Sequence, residues 1–379
     1  MQTSKYAPPP GPPPGQPRIV QFPFIRSDEL VTLYTQGYAR LHLPPSHPLL
    51  DAASALFSSS REFFAKDVEY KERFHLSKLA DEPKVQQSSD EGWSCVKGEK
   101  EMVTVRRSET GFVPGELLGS ARELWGACGY LLMGPGGMMR SVEESLGLGE
   151  GAFEGIGEGE GALPSEERRE TLLRVFRYER GEMDVGGKGK GKGKGKGRED
   201  SDGGERGTRV VSSEHRDIGL LSLVIGSSPG LEVWNGRSKQ WIGVEEVEEG
   251  EKEEEDRITV TLLCGMTLTR LTNNRFKPGL HRVCVPPRMD SETETETETE
   301  TMVRHKEKYR YSIVFALRPY REAIIHTSLL TSSVTGPFLY PLEGVPAQLL
   351  FNAIANAHWN VNGDIEEREA QKRMLWQLQ

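Results

Sequence analysis

HRDIGLLSLVIGSSPGLEVWN, residues 215–235, is the stretch that decides the fold. Its apolar residues, Leu220, Leu221, Leu223, Leu231, Val233 and Trp234, with Trp241 and Ile242 just beyond, read as the packing of successive core strands. Two further stretches have the same character. In LTRLTNNRFKPGLHRVCVPP (268–287), His281 stands in a second strand-like segment, and YRYSIVFALRPY (309–320) is a third. Side chains alternate between the faces of a strand, so His215 and Asp217 share one face and Arg216 takes the other. In an antiparallel double-sheet barrel that face points into the lumen, where His281 can join from another strand. Arg310 and Ser312, two residues apart, share a face in the same way.

Outward from this core, TLLRVFRYER (171–180) reads as a strand. Upstream, IVQFPF (19–24) reads as a short strand, residues 27–35 as a helix and GYARLHL (37–43) as a strand. Pro48 opens a helix in which Leu49, Ala52, Ala53, Leu56 and Phe57 fall at helical spacing, continued by Phe63 and Phe64. EGWSCVKGEKE (91–101) reads as a loop bearing Trp93, and MVTVRR after it as a strand. A long helix is expected over 120–147, interrupted at Gly134-Pro135-Gly136-Gly137 because proline kinks or splits a helix. The glycines of GIGEGEGAL (155–163) form no phosphate cradle: glutamates repel phosphate and no lysine follows. Beyond Arg321 the chain reads as a helical tail, with Leu349, Leu350, Phe351, Ile354 and Trp359 on a docking face.

The net charge of -9 is concentrated in low-complexity blocks. Residues 245–256 carry nine acids and one lysine, 290–301 six acids, and 186–197 five lysines alternating with glycine. These blocks account for the whole net charge, so no remaining face is expected to attract nucleic acid or anionic lipid. They read as solvated inserts between strands, which cost little because loop-closure entropy grows only logarithmically with length. Residues 1–17 form a proline-rich tail. Cys95, Cys128, Cys264 and Cys284 show neither a zinc nor a redox spacing and suit a reducing compartment. No signal peptide or membrane-spanning run is read, and a cytoplasmic monomer is expected.

Two imidazoles and a carboxylate make a facial set for Fe(II) that leaves half the octahedron open. In their order along the chain, His215-Arg-Asp217, the LEVWN strand, the His281 segment and Arg310-Tyr-Ser312 resemble the 2-oxoglutarate and Fe(II)-dependent dioxygenase superfamily, specifically its isopenicillin-N-synthase-like branch. The resemblance spans roughly residues 18–320 and is most specific over 209–319. It implies a mainly β fold, a double-stranded β-helix (jelly-roll) core with helical N-terminal and C-terminal segments. The division implied is a supporting region over 18–150, a jelly-roll domain over 165–320 with inserts at 186–206, 245–257 and 288–306, and a helical segment over 321–379.

By the same resemblance His215, Asp217 and His281 would hold Fe(II), and no catalytic group beyond the metal site is singled out. Arg310 and Ser312 would grip the distal carboxylate of 2-oxoglutarate, a role that suits a guanidinium fork, and Tyr178 would contact the same cosubstrate. The implied reaction hydroxylates, desaturates or cyclises a small organic molecule with O2, releasing succinate and CO2. Two alternatives stay open: an Fe(II) oxidase of the isopenicillin N synthase type that needs no 2-oxoglutarate, and a non-catalytic barrel protein. A second reading of Arg310, an arginine paired with a core carboxylate, also stays open. Met266 departs from the family, which more often carries an acidic residue after the corresponding glycine.

Overall fold

Alternation along YRYSIVFALRP builds the central strand of the chain, whose computed structural model describes residues 15–75, 91–109, 111–158, 161–180, 209–245, 258–285, 308–363 and 365–377. The larger of two facing sheets runs in the order β1 (Tyr38–Leu41), β10 (Thr259–Cys264), β7 (Leu221–Gly226), β12 (Tyr309–Pro319), β5 (Leu172–Glu179), β3 (Lys100–Val105) and β2 (Gly92–Val96). A two-residue strand, β4 (Gly157–Glu158), lies beside β12. The smaller sheet runs β6 (Arg209–His215), β11 (His281–Val285), β8 (Leu231–Asn235), β9 (Gln240–Gly243). The pairing is antiparallel throughout both sheets.

The two faces of the larger sheet bury against different partners. Ile313, Phe315 and Leu317 of β12, with Leu221, Leu223 and Ile225 of β7, pack in the core shared with the helices Pro48–Phe64 and Gly115–Met133. There Trp125 meets Phe315 edge-on with ring centroids 5.2 Å apart. Each such side chain contributes about 1.5–3 kcal/mol on full burial. The opposite face supplies Met102, Phe176, Tyr178 and Val224 to a second core, completed from the smaller sheet by Val211, Leu231, Val233, Val283 and Val285. This second core fills one part of the lumen, and the remainder is the cavity described below. The mainly β double-sheet barrel with flanking helices is the expected fold.

Several local readings are corrected. IVQFPF pairs with no strand: Phe22 is buried, and Phe24 turns the backbone to a φ of 58°. The first helix begins at Leu30 rather than 27. Residues 92–96, read as a loop, are β2, joined to β3 by a tight turn in which Gly98 has a φ of 76°. The long helix does split at Gly134–Gly137, into Gly115–Met133 and Met138–Leu146. A Cβ on Gly137 would lie 2.9 Å from the carbonyl oxygens of Leu131 and Gly134, so the break needs a residue without one. The segment beyond Arg321, read as helical, first pairs Ile324–His326 with Glu343–Pro346 as a two-stranded sheet and then forms the helices Ala347–Asn356 and Ile365–Gln377. In the first of these helices Ala347 and Leu350 face inward while Leu349 is exposed. Residues 1–14, the GK repeat, the ET repeat and 246–257 lie outside the described residues. Among the described residues no helix is long and apolar enough to cross a membrane.

Candidate active site

His215 is the last residue of β6 and His281 the first of β11, and the two are direct cross-strand partners. Their rings lie 4.2 Å apart, centroid to centroid. Asp217 joins them by a different route from the strand alternation expected, because β6 stops at His215. Its loop is clamped instead by the short helix Met266–Leu271. The Met266 amide donates to the Asp217 carbonyl at 2.8 Å, and the Thr267 amide and hydroxyl donate to Ile218 at 3.0 and 2.6 Å. Gly265 permits this approach, since a Cβ there would stand 2.1 Å from the Gly219 carbonyl oxygen. The clamp uses the backbone of residue 266, so the departure at Met266 leaves it intact.

The ligand atoms of His215, Asp217 and His281 all lie within 4.8 Å of one another. Asp217 Oδ1 is 3.8 Å from Nε2 of His215 and 3.9 Å from Nε2 of His281. Each imidazole turns Nδ1 to a backbone carbonyl, His215 to Ser213 at 2.8 Å and His281 to Gly279 at 3.1 Å. Nδ1 then carries the proton and Nε2 presents its lone pair inward, the arrangement that orients a metal ligand. Burial, with His281 beside it, pushes His215 down to about 3, so it is neutral at physiological pH. Burial acts to raise Asp217, but His281 and His215 outweigh it and hold the carboxyl below its ordinary value. Asp217 Oδ2 is buried with no hydrogen-bond partner. A buried carboxylate with an orphaned oxygen, beside two inward lone pairs, is costly for a fold to keep unless something binds there. The three residues can form an iron site.

Tyr178, Arg310 and Ser312 also come together. Arg310 and Tyr178 are cross-strand partners, the Arg310 Cζ lies 5.6 Å from the Tyr178 ring centre, and Ser312 stands two residues beyond Arg310 on β12. Burial pushes the Tyr178 hydroxyl up to about 12. Arg310, however, is completely buried and its fork is engaged: Nε donates to the Ser228 carbonyl at 3.0 Å, and Nη2 to Glu245 Oε1 and Oε2 at 2.9 and 2.8 Å. Only Nη1 has no partner. The expectation that Glu245 opens a solvated acidic insert is corrected here. It is 4 % exposed and bound inside the barrel, because the β8–β9 hairpin carries it back against β8, where it also accepts from the Leu231 amide at 2.6 Å.

A second group escapes the sequence reading. Lys100, expected in a loop, lies in β3 directly across from Tyr178 and is 3 % exposed. Its ammonium donates to the Val361 carbonyl at 3.2 Å and to Asn362 Oδ1 at 3.0 Å, fastening the C-terminal segment over the barrel. Between these groups lies a cavity of about 1200 Å³, whose wall includes the three ligand residues, Tyr178, Ser312 and Trp359.

Residues 200–319 match the sequence model of the 2OG-Fe(II) oxygenase superfamily, a span that contains His215, Asp217, His281, Arg310 and Ser312. This part of the chain therefore carries the sequence pattern of that superfamily. The match is to the superfamily and does not select a branch within it. No curated protein sequence matches the chain. Among solved structures, a full-length Neurospora crassa protein in complex with alpha-KG and 5-formyluracil is similar at 20% identity, covering 85% of this chain and 86% of that one with a TM-score of 0.54. A putative 2OG-Fe(II) oxygenase family protein from Caulobacter crescentus is similar at 19% identity, covering 86% and 92%, again with a TM-score of 0.54. At these identities the likeness establishes the shared fold.

Proposed function

We propose that the chain is a 2-oxoglutarate-dependent Fe(II) dioxygenase that oxidises a small organic molecule inside the barrel cavity. The convergence of His215 Nε2, His281 Nε2 and the orphaned carboxylate of Asp217 on one wall of that cavity carries the reading. His215, Asp217 and His281 would hold the iron, and the outer hydrogen bonds of the two imidazoles keep both Nε2 lone pairs aimed at it. Bound there, iron supplies the redox chemistry that couples O2 and 2-oxoglutarate to substrate oxidation. Ser312 and Tyr178 in the cavity wall, and the free Nη1 of Arg310 behind them, would receive the distal carboxylate.

Anaerobic titration with Fe(II) and then 2-oxoglutarate, followed by visible absorption, tests the proposal. A charge-transfer band that grows with 2-oxoglutarate and is lost in Asp217→Ala is the expected result. A second reading, an oxidase that needs no 2-oxoglutarate, is favoured by one observation: Arg310 already holds a carboxylate, that of Glu245. Iron binding without the band would select it. Absence of iron binding would overturn both readings.

A further inference from the structure

Glu245 ends in –CH2–CH2–COO⁻, the same group that forms the distal end of 2-oxoglutarate. Resting on the function proposed above, we propose that Glu245 is an internal stand-in for the cosubstrate, which holds Arg310 in the ligand-free barrel and which 2-oxoglutarate must displace. Glu245 would thereby set the affinity and selectivity of the cosubstrate site.

The packing around this carboxylate is built to receive one. Arg310 gives it two hydrogen bonds from Nη2, and the Leu231 amide gives a third. Two glycines make the room: a Cβ on Gly226 would lie 1.9 Å from Glu245 Oε1, and one on Gly230 would lie 2.6 Å from Arg310 Nε. Gly226 is the cross-strand partner of Ser312, so the carboxylate sits at the level of the residues proposed to bind the cosubstrate. A guanidinium alone in this interior would carry an uncompensated charge, which is strongly destabilising. Glu245 supplies the compensation when no ligand does. A second carboxylate brought to the same arginine would meet both an occupied fork and a like charge in a dry site. Either Glu245 leaves or the incoming group binds weakly, and both routes reduce 2-oxoglutarate affinity.

The full-length protein and Glu245→Gln, each loaded anaerobically with Fe(II), would be titrated with 2-oxoglutarate and with 2-oxopentanoate, which lacks the distal carboxylate. The readouts are visible absorption and the ligand-induced shift in melting temperature. Glutamine keeps the shape and an acceptor for Leu231 but removes the charge. The expected result is 2-oxoglutarate binding tighter by about tenfold or more in the variant, with 2-oxopentanoate little changed. A Glu245 that is purely a structural partner would leave the ratio of the two ligands where it was, and an equal or weaker affinity for 2-oxoglutarate overturns the inference alone. If iron binds but neither protein responds to 2-oxoglutarate by either readout, the cosubstrate reading falls and the inference with it. Should Glu245→Gln fail to fold, Glu245→Asp draws the carboxylate back by one methylene at constant charge. It should tighten 2-oxoglutarate by about threefold, and no change would overturn the proposal.

Discussion

At one end of the lumen His215, Asp217 and His281 keep inward-facing acceptors without protein donors, while at the other, in a row with Tyr178 across three strands, Lys100 and Arg310 donate to protein acceptors. Both ends bury polar atoms in a β-barrel, so burial alone does not mark a site. The difference lies in what satisfies the groups. A polar group paired within the fold is held as structure, whereas one fixed by outer partners and left open on its inner side is held for a ligand. On this basis the metal end is prepared for an ion, and the Arg310 end is prepared for a carboxylate that the chain itself provides.

The largest expected effect breaks the open end. His215→Ala, Asp217→Ala and His281→Ala should each lower Fe(II) affinity beyond the roughly 10–100-fold cost of losing an outer partner. Since these atoms carry little of the packing, far-ultraviolet circular dichroism should stay unchanged. Full iron occupancy in any of the three variants, measured by elemental analysis after dialysis, would remove that residue from the site.

Next is the closed end. Arg310→Leu or Glu245→Leu leaves one buried charge without its partner, at a cost of about 3–5 kcal/mol in urea denaturation. The double variant removes both charges and should recover most of that loss. If the double variant is as unstable as the single ones, the pair is not what stabilises this end, and the contrast with the metal end loses its basis.

Much of this is legible in the chain and some is not, for physical reasons. The central strands announce themselves because one face of the larger sheet packs on helices and alternation along Ile313, Phe315 and Leu317 records it. His215 and His281 stand out from strand context, and Asp217 from its spacing, although a backbone clamp and not strand alternation places it. β2 escapes because Gly92, Ser94 and Cys95 give no two-residue apolar rhythm, although the turn at Gly98 is a usable signal. Glu245 cannot be singled out from sequence. It opens a run of acids in which each residue looks like the next, and only the return of the β8–β9 hairpin brings this one opposite Gly226 and Gly230.

Lys100 sharpens the comparison through pH. Burial, with Arg368 nearby, lowers it from the ordinary lysine value of 10.5 to about 7. Between these values the unfolded chain holds a proton that the folded chain has released, so stability rises with pH across the window. The slope is at most about 1.4 kcal/mol per pH unit. Below about 7 both states are protonated, and the unfavourable burial of the ammonium is present in full. Lys100→Met should abolish the rise in chemical denaturation between about pH 7 and 9. A wild-type protein whose stability is flat there would show that the ammonium is compensated at this end after all.

The smallest effect is expected from a change that touches neither end. β5 ends at Glu179 and β6 begins at Arg209, so 29 residues connect two strands of the barrel, including the GK repeat at 187–197. If that repeat is only a connection, deleting it shortens the loop that folding must close and should favour the folded state by about 0.4 kcal/mol. Iron binding should be unchanged, because His215 is placed by its pairing with His281 and not by the length of chain that precedes β6. Lost iron binding with stability retained would place the repeat at the metal end. Lost stability would mean that this glycine-lysine sequence contributes packing, a part that neither its composition nor the two cores of the barrel requires.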